Sequence, residues 1–181
     1  CAGLNRVYFH TFTCSPAEQG IPGQEYFAGT HVNPRVTWWS KSAPFIDYMH
    51  RVQMLAQEGT FVADVLYYYG DHVPNVYPFK HSDMPGAMFG FDYDVTDENI
   101  LMKLGVEDGD IVVPGGRRYK VLVLPDHRVL SLPVLKKLEM LVKEGASVLG
   151  PKPQKAVSLS GGEKGVAEFK ELADLLWGTT T

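Results

Sequence analysis

The chain has 181 residues, of which 45% are hydrophobic and 21% are charged, and its formal net charge is -4. This composition excludes a mainly disordered chain and allows one well-buried domain or two small ones. Lys and Arg are scattered, so nucleic acid is not expected as a partner, and no apolar run approaches the roughly 20 residues that span a membrane. Cys1 and Cys14 lack the number and spacing of a disulfide framework or a metal site, so they are interpreted as ordinary thiols.

The first forty residues predict one strand and a long loop. Residues 4–11 form a β-branched and aromatic run without a leader ahead of it, which predicts an internal strand of something larger. Several Pro and Gly residues exclude regular structure over most of residues 15–40. Within this loop, Trp38 and Trp39 suit the apolar face of a sugar ring, and packing of the pair as a lid is an equal alternative.

A helix and a buried strand are predicted next. Ser42 can cap a helix with Pro44 in its first turn, and apolar residues at spacings of three and four predict one buried face before Gly59. Residues 61–69 then change to the pattern of a strand that contains one acid, Asp64. A buried acid must be paired or face a polar interior, because an unpaired buried carboxylate costs several kcal/mol.

Two titratable residues follow this strand directly. Gly70 ends the apolar run, and Asp71 and His72 come immediately after it. In α/β proteins, ligands bind at the carboxyl ends of parallel strands. Asp71 and His72 are therefore the first candidates for a functional site.

Acids alternate with aromatic residues from residue 91 to residue 94. Asp92 and Asp94 project to the same face if the segment is extended, so they can ligate a hard cation such as calcium or bind sugar hydroxyls. The alternative is an Asp-rich turn that caps a helix from Asp97.

The last third of the chain predicts a βαβ unit. Residues 111–119 indicate a strand and turn, residues 120–124 a buried strand, and Ser131 the cap of a helix. Residues 147–149 return as a strand, so a parallel sheet is expected. Apolar residues at helical spacing across residues 166–176 predict a last amphipathic helix.

Two other patterns are discounted. Residues 160–165 contain glycines and a lysine but lack the spacing of a phosphate loop, so no nucleotide or redox cofactor is expected. No local pattern joins the remaining histidines to a nucleophile. They are interpreted as surface or hydrogen-bonded residues: His31, His50, His81 and His127.

Seven segments carry a resemblance to a known family. Four of them are Gly29-Thr-His-Val-Asn-Pro-Arg-Val-Thr-Trp-Trp39, Tyr48-Met-His-Arg-Val-Gln53, Val62-Ala-Asp-Val-Leu-Tyr-Tyr-Tyr-Gly-Asp-His-Val-Pro-Asn75 and Gly90-Phe-Asp-Tyr-Asp94. The other three are Tyr119-Lys-Val-Leu-Val-Leu-Pro125, Gly145-Ala-Ser-Val-Leu-Gly-Pro-Lys-Pro153 and Leu172-Ala-Asp-Leu-Leu-Trp-Gly178. Together they resemble glycoside hydrolase family 106, the α-L-rhamnosidases and their relatives.

The resemblance implies a large multidomain enzyme with a (β/α)8 barrel, which removes terminal α-L-rhamnosyl units with inversion and has a calcium ion near the sugar. Inversion needs a general acid and a general base. The resemblance implies that the acid lies ahead of Cys1, so the chain alone is expected to be inactive. Asp71 is the candidate base, although relatives can carry glutamate at or near this position, and His72 is the candidate for orienting the sugar.

The resemblance also assigns candidate binding residues. The candidates for substrate binding are Asn5, His10, Trp38, Trp39 and Tyr68, and those for the metal are Asp92 and Asp94. The implied partners are a rhamnose-containing oligosaccharide or glycoside and the remaining domains of the same enzyme. A periplasmic or extracellular location is implied by the resemblance alone.

The predicted fold is α/β. Residues 1–105 are predicted as later strands of the barrel, and residues 106–181 as a βαβ parallel-sheet unit with a C-terminal helix. This second part is either the end of the barrel or a small flavodoxin-like domain. The alternative function is a non-catalytic α/β module for carbohydrate binding or subunit contacts.

Overall fold

The computed structural model describes residues 4–10, 12, 17–21, 23, 27, 32–75, 90–157 and 161–178. The chain forms two compact units, Cys1–Thr60 and Phe61–Thr181. The predicted boundary between residues 105 and 106 differs from this division.

The described residues of the first unit include a long helix. Helix α1 spans Ala43–Glu58, as the sequence predicted, and begins after Ser42, whose side chain makes no capping hydrogen bond. None of its residues is buried, in contrast to the predicted buried face.

The strand predicted at residues 4–11 is not formed in its described part, residues 4–10. The backbone N–H of Val7 donates to the side-chain oxygen of Gln53 at 2.7 Å. The carbonyl of Asn5 accepts from the side chain of Gln57 at 3.1 Å. These two backbone groups are thus satisfied by glutamines of α1.

The described residues of the second unit form nine short strands and three helices. Its strands are β1 (Val65–Tyr68), β2 (Tyr93–Thr96), β3 (Gly105–Glu107), β4 (Asp110–Val112), β5 (Arg118–Tyr119), β6 (Val121–Val123), β7 (Val129–Leu130), β8 (Val148–Leu149) and β9 (Lys155–Ala156). Its helices are α2 (Glu98–Leu101), α3 (Leu132–Lys143) and α4 (Gly162–Trp177). Within the described ranges, no helix combines the length and apolar character needed to cross a membrane.

The main sheet is parallel and has the strand order β2-β1-β6-β8. Val65 of β1 pairs with Tyr93 on one side and with Val121 on the other. The predicted βαβ unit is confirmed, because β6 and β8 are parallel neighbours on either side of α3 in the chain. Strands β3, β4 and β5 form an antiparallel sheet, and β7 pairs with β9.

This order differs from that of a (β/α)8 barrel. In a barrel, each parallel strand lies between the strands that precede and follow it, whereas here the third parallel strand, β6, lies beside β1. The order corresponds to the first four strands of a doubly wound sheet of the flavodoxin type. No sheet closes on itself in the described part of the chain, so the predicted barrel is not confirmed. The predicted domain boundary at residue 105 would divide this sheet, because β1 precedes residue 105 in the chain and its neighbour β6 follows it.

Both faces of the main sheet are buried. One face carries Leu66, Tyr68 and Leu122, which belong to the large core that also includes side chains of α3, α4 and the antiparallel sheet. The other face carries a smaller buried cluster of Val65, Tyr67 and Val123. Alternation along β1 thus separates its side chains between two cores.

The acid of the predicted strand is not buried. Strand β1 begins at Val65, and the side chain of Asp64 just ahead of it is exposed. Its backbone still joins the sheet, because Asp64 donates to the carbonyl of Asp92 at 3.2 Å and accepts from Lys120 at 2.8 Å. The expected need for a buried partner therefore does not arise.

Candidate functional site

The candidate residues Asp71 and His72 follow the carboxyl end of the central strand β1. Gly70 has a φ of +97°, in the left-handed region that favours glycine. A Cβ atom at this position would also lie 3.0 Å from Cγ of Pro125, in the loop after β6. The close approach of the two loops places the residues after β1 next to those after β6.

Both carboxylate oxygens of Asp71 accept hydrogen bonds. Oδ1 accepts from the phenol of Tyr68, and Oδ2 accepts from the backbone N–H of Ser131 at 2.6 Å. Ser131 is the N-cap of α3, and its hydroxyl accepts from Val134 at 3.4 Å. In a capping box, a Glu or Gln at the third helical position accepts from the N-cap N–H. That position is Val134 here, and Asp71 supplies the acceptor from 60 positions away.

Tyr68 orients Asp71 from inside the core. The side chain is 1% exposed, so Tyr68 can act on a ligand only through Asp71. Burial raises the pKa of the Tyr68 phenol far above its ordinary value, and the hydrogen bond to Asp71 and the Asp71 charge raise it further. The phenol therefore remains a donor, and it holds the carboxylate in one orientation.

His72 stacks against a histidine that follows β6. The ring centroids of His72 and His127 are 3.5 Å apart, and their planes are inclined by 36°. Nδ1 of His72 is buried and has no hydrogen-bond partner within the described residues. Burial lowers the pKa of His72, the neighbouring His127 lowers it further, and Asp71 opposes them by raising it. The net shift is downward, which favours the neutral form of the His72 imidazole.

Asp94 belongs to a hydrogen-bond network that includes a cationic side chain, the guanidinium of Arg117. Its Oδ2 accepts from the phenol of Tyr119 at 2.7 Å and from the guanidinium of Arg117 at 3.0 Å. Burial raises the pKa of Tyr119, and the hydrogen bond to Asp94 adds to the rise, so this phenol also stays protonated. The three side chains tie β2 to the end of the antiparallel sheet.

The residues proposed for the implied calcium site, Asp92 and Asp94, both have hydrogen-bond partners within the chain. Calcium takes six to eight oxygen ligands, whereas no three His, Cys, Asp or Glu side chains of the described residues come together in a way that could hold a metal. Oδ1 of Asp92 accepts from the backbone of Tyr93 at 3.0 Å. The guanidinium of Arg117 beside Asp94 also repels a second cation.

A cavity of about 470 Å³ lies beside Asp94. Its polar lining includes Asp94, Thr96 and Arg117, and this is where Asp94 can meet hydroxyl groups, the other role that the sequence allowed. At its edge, Asp97 caps α2 by accepting from the backbone of Ile100 at 3.0 Å. The predicted cap at Asp97 is thus confirmed, whereas Asp94 lies in strand β2 and not in a turn.

The other candidates for substrate binding belong to the first unit. Asn5 and His10 are exposed. The rings of Trp38 and Trp39 are 6.3 Å apart, and Trp39 packs edge-on against Phe12 at 5.7 Å. Trp38 is the more exposed of the pair, at 39%. It is therefore the one whose ring is available for stacking.

The sequence profile of the alpha-L-rhamnosidase family, glycoside hydrolase family 106, matches residues 1–181. The chain belongs to this family. The resemblance carried by the seven sequence segments is thereby confirmed.

Two relatives of this family 106 chain are much longer than it is. A protein of Formosa agariphila named "Putative beta-glucuronidase" is 40% identical over 176 residues, which are 97% of this chain and 15% of the relative. The solved structure of a rhamnosidase from Novosphingobium sp. PP1Y matches with a TM-score of 0.78 and 30% identity, over 98% of this chain and 17% of that one. The mixed α/β fold with a parallel sheet is therefore similar to part of a rhamnosidase.

His127 is the residue of this family 106 chain that the sequence interpretation missed. It was taken as a surface histidine, because no local motif joins it to residues after β1. One signal was present: Asp71-His72 follows one buried strand, and Asp126-His127 follows another. Since the carboxyl ends of parallel strands share one edge of a sheet, the repeated Asp-His pair could have linked the two loops.

Proposed function

We propose that the chain is part of a larger glycoside hydrolase, which removes terminal α-L-rhamnosyl units by inverting acid/base hydrolysis. The family match over all 181 residues carries this proposal. The similarity to the Novosphingobium rhamnosidase supports it. The position of Asp71 and His72 beyond the central strand of a parallel sheet is also consistent with a site in an α/β enzyme.

We place the (β/α)8 barrel of the intact enzyme outside the main sheet of residues 61–178. The order β2-β1-β6-β8 supports this placement, because it belongs to a doubly wound sheet. The chain then contributes one wall of the site, next to a barrel supplied by other parts of the protein.

Asp71 is the general base of the proposed reaction, and His72 orients the sugar. Tyr68 and Ser131 each occupy one lone pair of the Asp71 carboxylate, so lone pairs remain for a water molecule. In inverting hydrolases, acid and base stand about 6.5–9.5 Å apart to leave room for this water. The general acid belongs to another part of the enzyme, so the chain alone is expected to be inactive.

Asp71→Asn in the intact enzyme tests this role. The amide keeps an acceptor oxygen for one hydrogen bond but cannot take the proton of water. Turnover of an aryl α-L-rhamnoside is expected to fall by about 10²–10⁴-fold, the usual contribution of a general base. Asp126→Asn is the matched control, since Asp126 occupies the equivalent place after β6 with an exposed side chain. Undiminished turnover by folded Asp71→Asn would remove Asp71 from the mechanism.

A second candidate is a non-catalytic doubly wound module for carbohydrate binding or subunit contacts. The strand order favours it, and the hydrogen bonds of Asp71 to Tyr68 and Ser131 are also what a structural acid would make. Calorimetry with rhamnose and sedimentation of the protein discriminate the two uses. Sugar binding without an effect of Asp71→Asn on turnover favours carbohydrate binding, and self-association without sugar binding favours subunit contacts.

A further inference from the structure

The face of α1 that the sequence predicts to be buried is not covered. Phe45, Met49, Val52 and Ala56 follow one another at spacings of four, three and four, so they lie along one face of the helix. These four residues form the α1 apolar face. Phe45 is 47% exposed and Val52 is 41% exposed. In a globular protein, an apolar stripe of this kind normally faces a core.

A different face of α1 is already in contact with the start of the unit. The side chains of Gln53 and Gln57 bond to the backbone of Val7 and Asn5 at 2.7 and 3.1 Å. A helix turns by about 100° per residue, so Gln53 points about 100° away from Val52. The glutamine contacts therefore leave the α1 apolar face available to a second partner.

The contacts of α1 within the unit provide little stabilisation. The helix has 16 residues, and isolated helices shorter than about 12–15 residues are marginal in water. The side chain of Ser42 makes no capping hydrogen bond, and no residue of α1 is buried. Most helices in proteins are stabilised by packing of their amphipathic face. Covering the α1 apolar face would supply this stabilisation through burial of apolar area.

The lengths of the relatives favour a cover that comes from the same polypeptide. The matched region is 15% of the Formosa protein and 17% of the Novosphingobium rhamnosidase, so most of each relative lies outside it. A second copy of α1 is a less suitable cover. The 16 residues of α1 are little more than two heptads, whereas a coiled coil needs three or four.

We propose that the α1 apolar face is an interface within the intact enzyme, where an apolar surface from another part of the same polypeptide covers it. Among the described residues of the first unit, the buried side chain is that of the polar Asn33. The covering surface therefore completes an apolar core for this unit. The proposal uses one element of the proposed function, that the chain is part of a larger protein, and it does not depend on the reaction.

Hydrogen–deuterium exchange of the Ala43–Glu58 amides in the intact enzyme tests this interface. In wild type these amides are expected to exchange slowly, because a covered helix has to open before exchange. Val52→Gln puts a polar side chain into the interface, and exchange is expected to become about 10–100-fold faster, the factor for losing one buried apolar side chain. Gln is a better helix former than Val, so helix propensity alone would act in the opposite direction.

Two further variants separate the interface from a general loss of folding. Val52→Leu has a helix propensity similar to that of Val52→Gln but remains apolar, so α1 is expected to keep its slow exchange. Met54→Gln is the matched control, because Met54 is a 58% exposed apolar residue of α1 outside the α1 apolar face. Its exchange is expected to change by less than about threefold.

Fast exchange of α1 in folded wild-type enzyme overturns the proposal, as do equal effects of Val52→Gln and Met54→Gln. Sedimentation of the same samples identifies the covering partner. Dissociation of an oligomer by Val52→Gln would assign the α1 apolar face to a second copy and would also overturn the proposal. Slow exchange that depends on Val52, in a wild-type enzyme without rhamnoside turnover, contradicts the proposed function and supports the interface.

Discussion

At the scale of single residues, Asp71 connects the end of β1 with the start of α3. Its carboxylate accepts one hydrogen bond from the buried phenol of Tyr68 and one from the backbone N–H of Ser131, the N-cap of α3. A carboxylate near a helix N-terminus is also stabilised by the helix dipole. The residue is therefore fixed in position before any ligand arrives, which suits a group that has to orient a water molecule.

Tyr68→Phe is expected to destabilise the protein by about 2 kcal/mol. The change keeps the ring in the core and removes the donor to Asp71, and a hydrogen bond to a charged group contributes about 1.5–3 kcal/mol. Urea unfolding measures the free energy. Tyr48→Phe on α1, where the side chain is 56% exposed, is the control and is expected to change stability by less than about 0.5 kcal/mol. Equal losses in the two variants would contradict the role of the Tyr68 hydroxyl.

Asp97→Ala is expected to lower stability by about 1 kcal/mol at pH 7, the usual loss of an N-cap. The backbone N–H of Ile100 and the side chain of Asn99 lower the pKa of Asp97 below its ordinary value of 3.8. The contribution of this carboxylate is therefore fully present above about pH 4 and is lost as the pH falls through the lowered pKa. Urea unfolding of wild type and variant at several pH values checks this. A difference that grows on acidification would contradict it.

The sequence predicted some features of the candidate site and missed others. The position of Asp71 and His72 after a buried strand followed from local pattern, as did the cap at Asp97. The partner of Asp71, Ser131, lies 60 positions away and is chosen by the packing of β1 beside β6. No local pattern contains that information, and the same reason hid the contact between His72 and His127.

At the scale of elements, helices were easier to predict than strands. The positions of α1, α3 and α4 were confirmed, because apolar spacing and end signals lie within each segment, although α1 lacks the buried face that its spacing predicted. The strand expected at residues 4–11 was wrong in its described part, since a β-like composition does not specify a pairing partner. The backbone there bonds to side chains of α1 instead.

Gly150→Ala is expected to destabilise the second unit by about 1–3 kcal/mol, the usual range for overpacking. A Cβ at Gly150 would lie 2.5 Å from Cβ of Leu124, where the ends of β8 and β6 are joined by a backbone hydrogen bond. Thermal or urea unfolding measures the loss. Gly105→Ala on β3 is the matched control, because an added Cβ there meets no atom within 4 Å. A tolerated Gly150→Ala would contradict the close packing of the two strand ends.

At the scale of the whole molecule, the buried apolar side chains belong to the second unit. Among the described residues, the buried apolar side chains run from Ala63 to Ala173, whereas the buried residue of the first unit is the polar Asn33. The strand order also belongs to this scale. A parallel βαβ pattern is common to barrels and doubly wound sheets, so local signals predicted the parallel sheet but not which strands became neighbours.

Residues 61–181 are expected to fold cooperatively without residues 1–60. The shorter chain keeps both buried clusters, so urea unfolding should give a single transition with an m value of about 1–3 kcal/mol/M. Residues 1–60 alone serve as the reciprocal control. They are expected to lack such a transition, because α1 buries no residue. Gradual unfolding of residues 61–181 would contradict the division between the units.

The central position of β1 has a consequence for synthesis of the protein. β1 is made before both of its neighbours, and Val65 pairs with Val121, about 56 residues later. At roughly 5–20 residues per second, a ribosome needs about 3–11 seconds to add that segment. During this interval the four apolar residues Val65–Tyr68 have an unpaired edge, which is a target for chaperones and for aggregation. Among the described strands of the main sheet, β1 therefore has the longest delay during synthesis before its second neighbour, β6, is available.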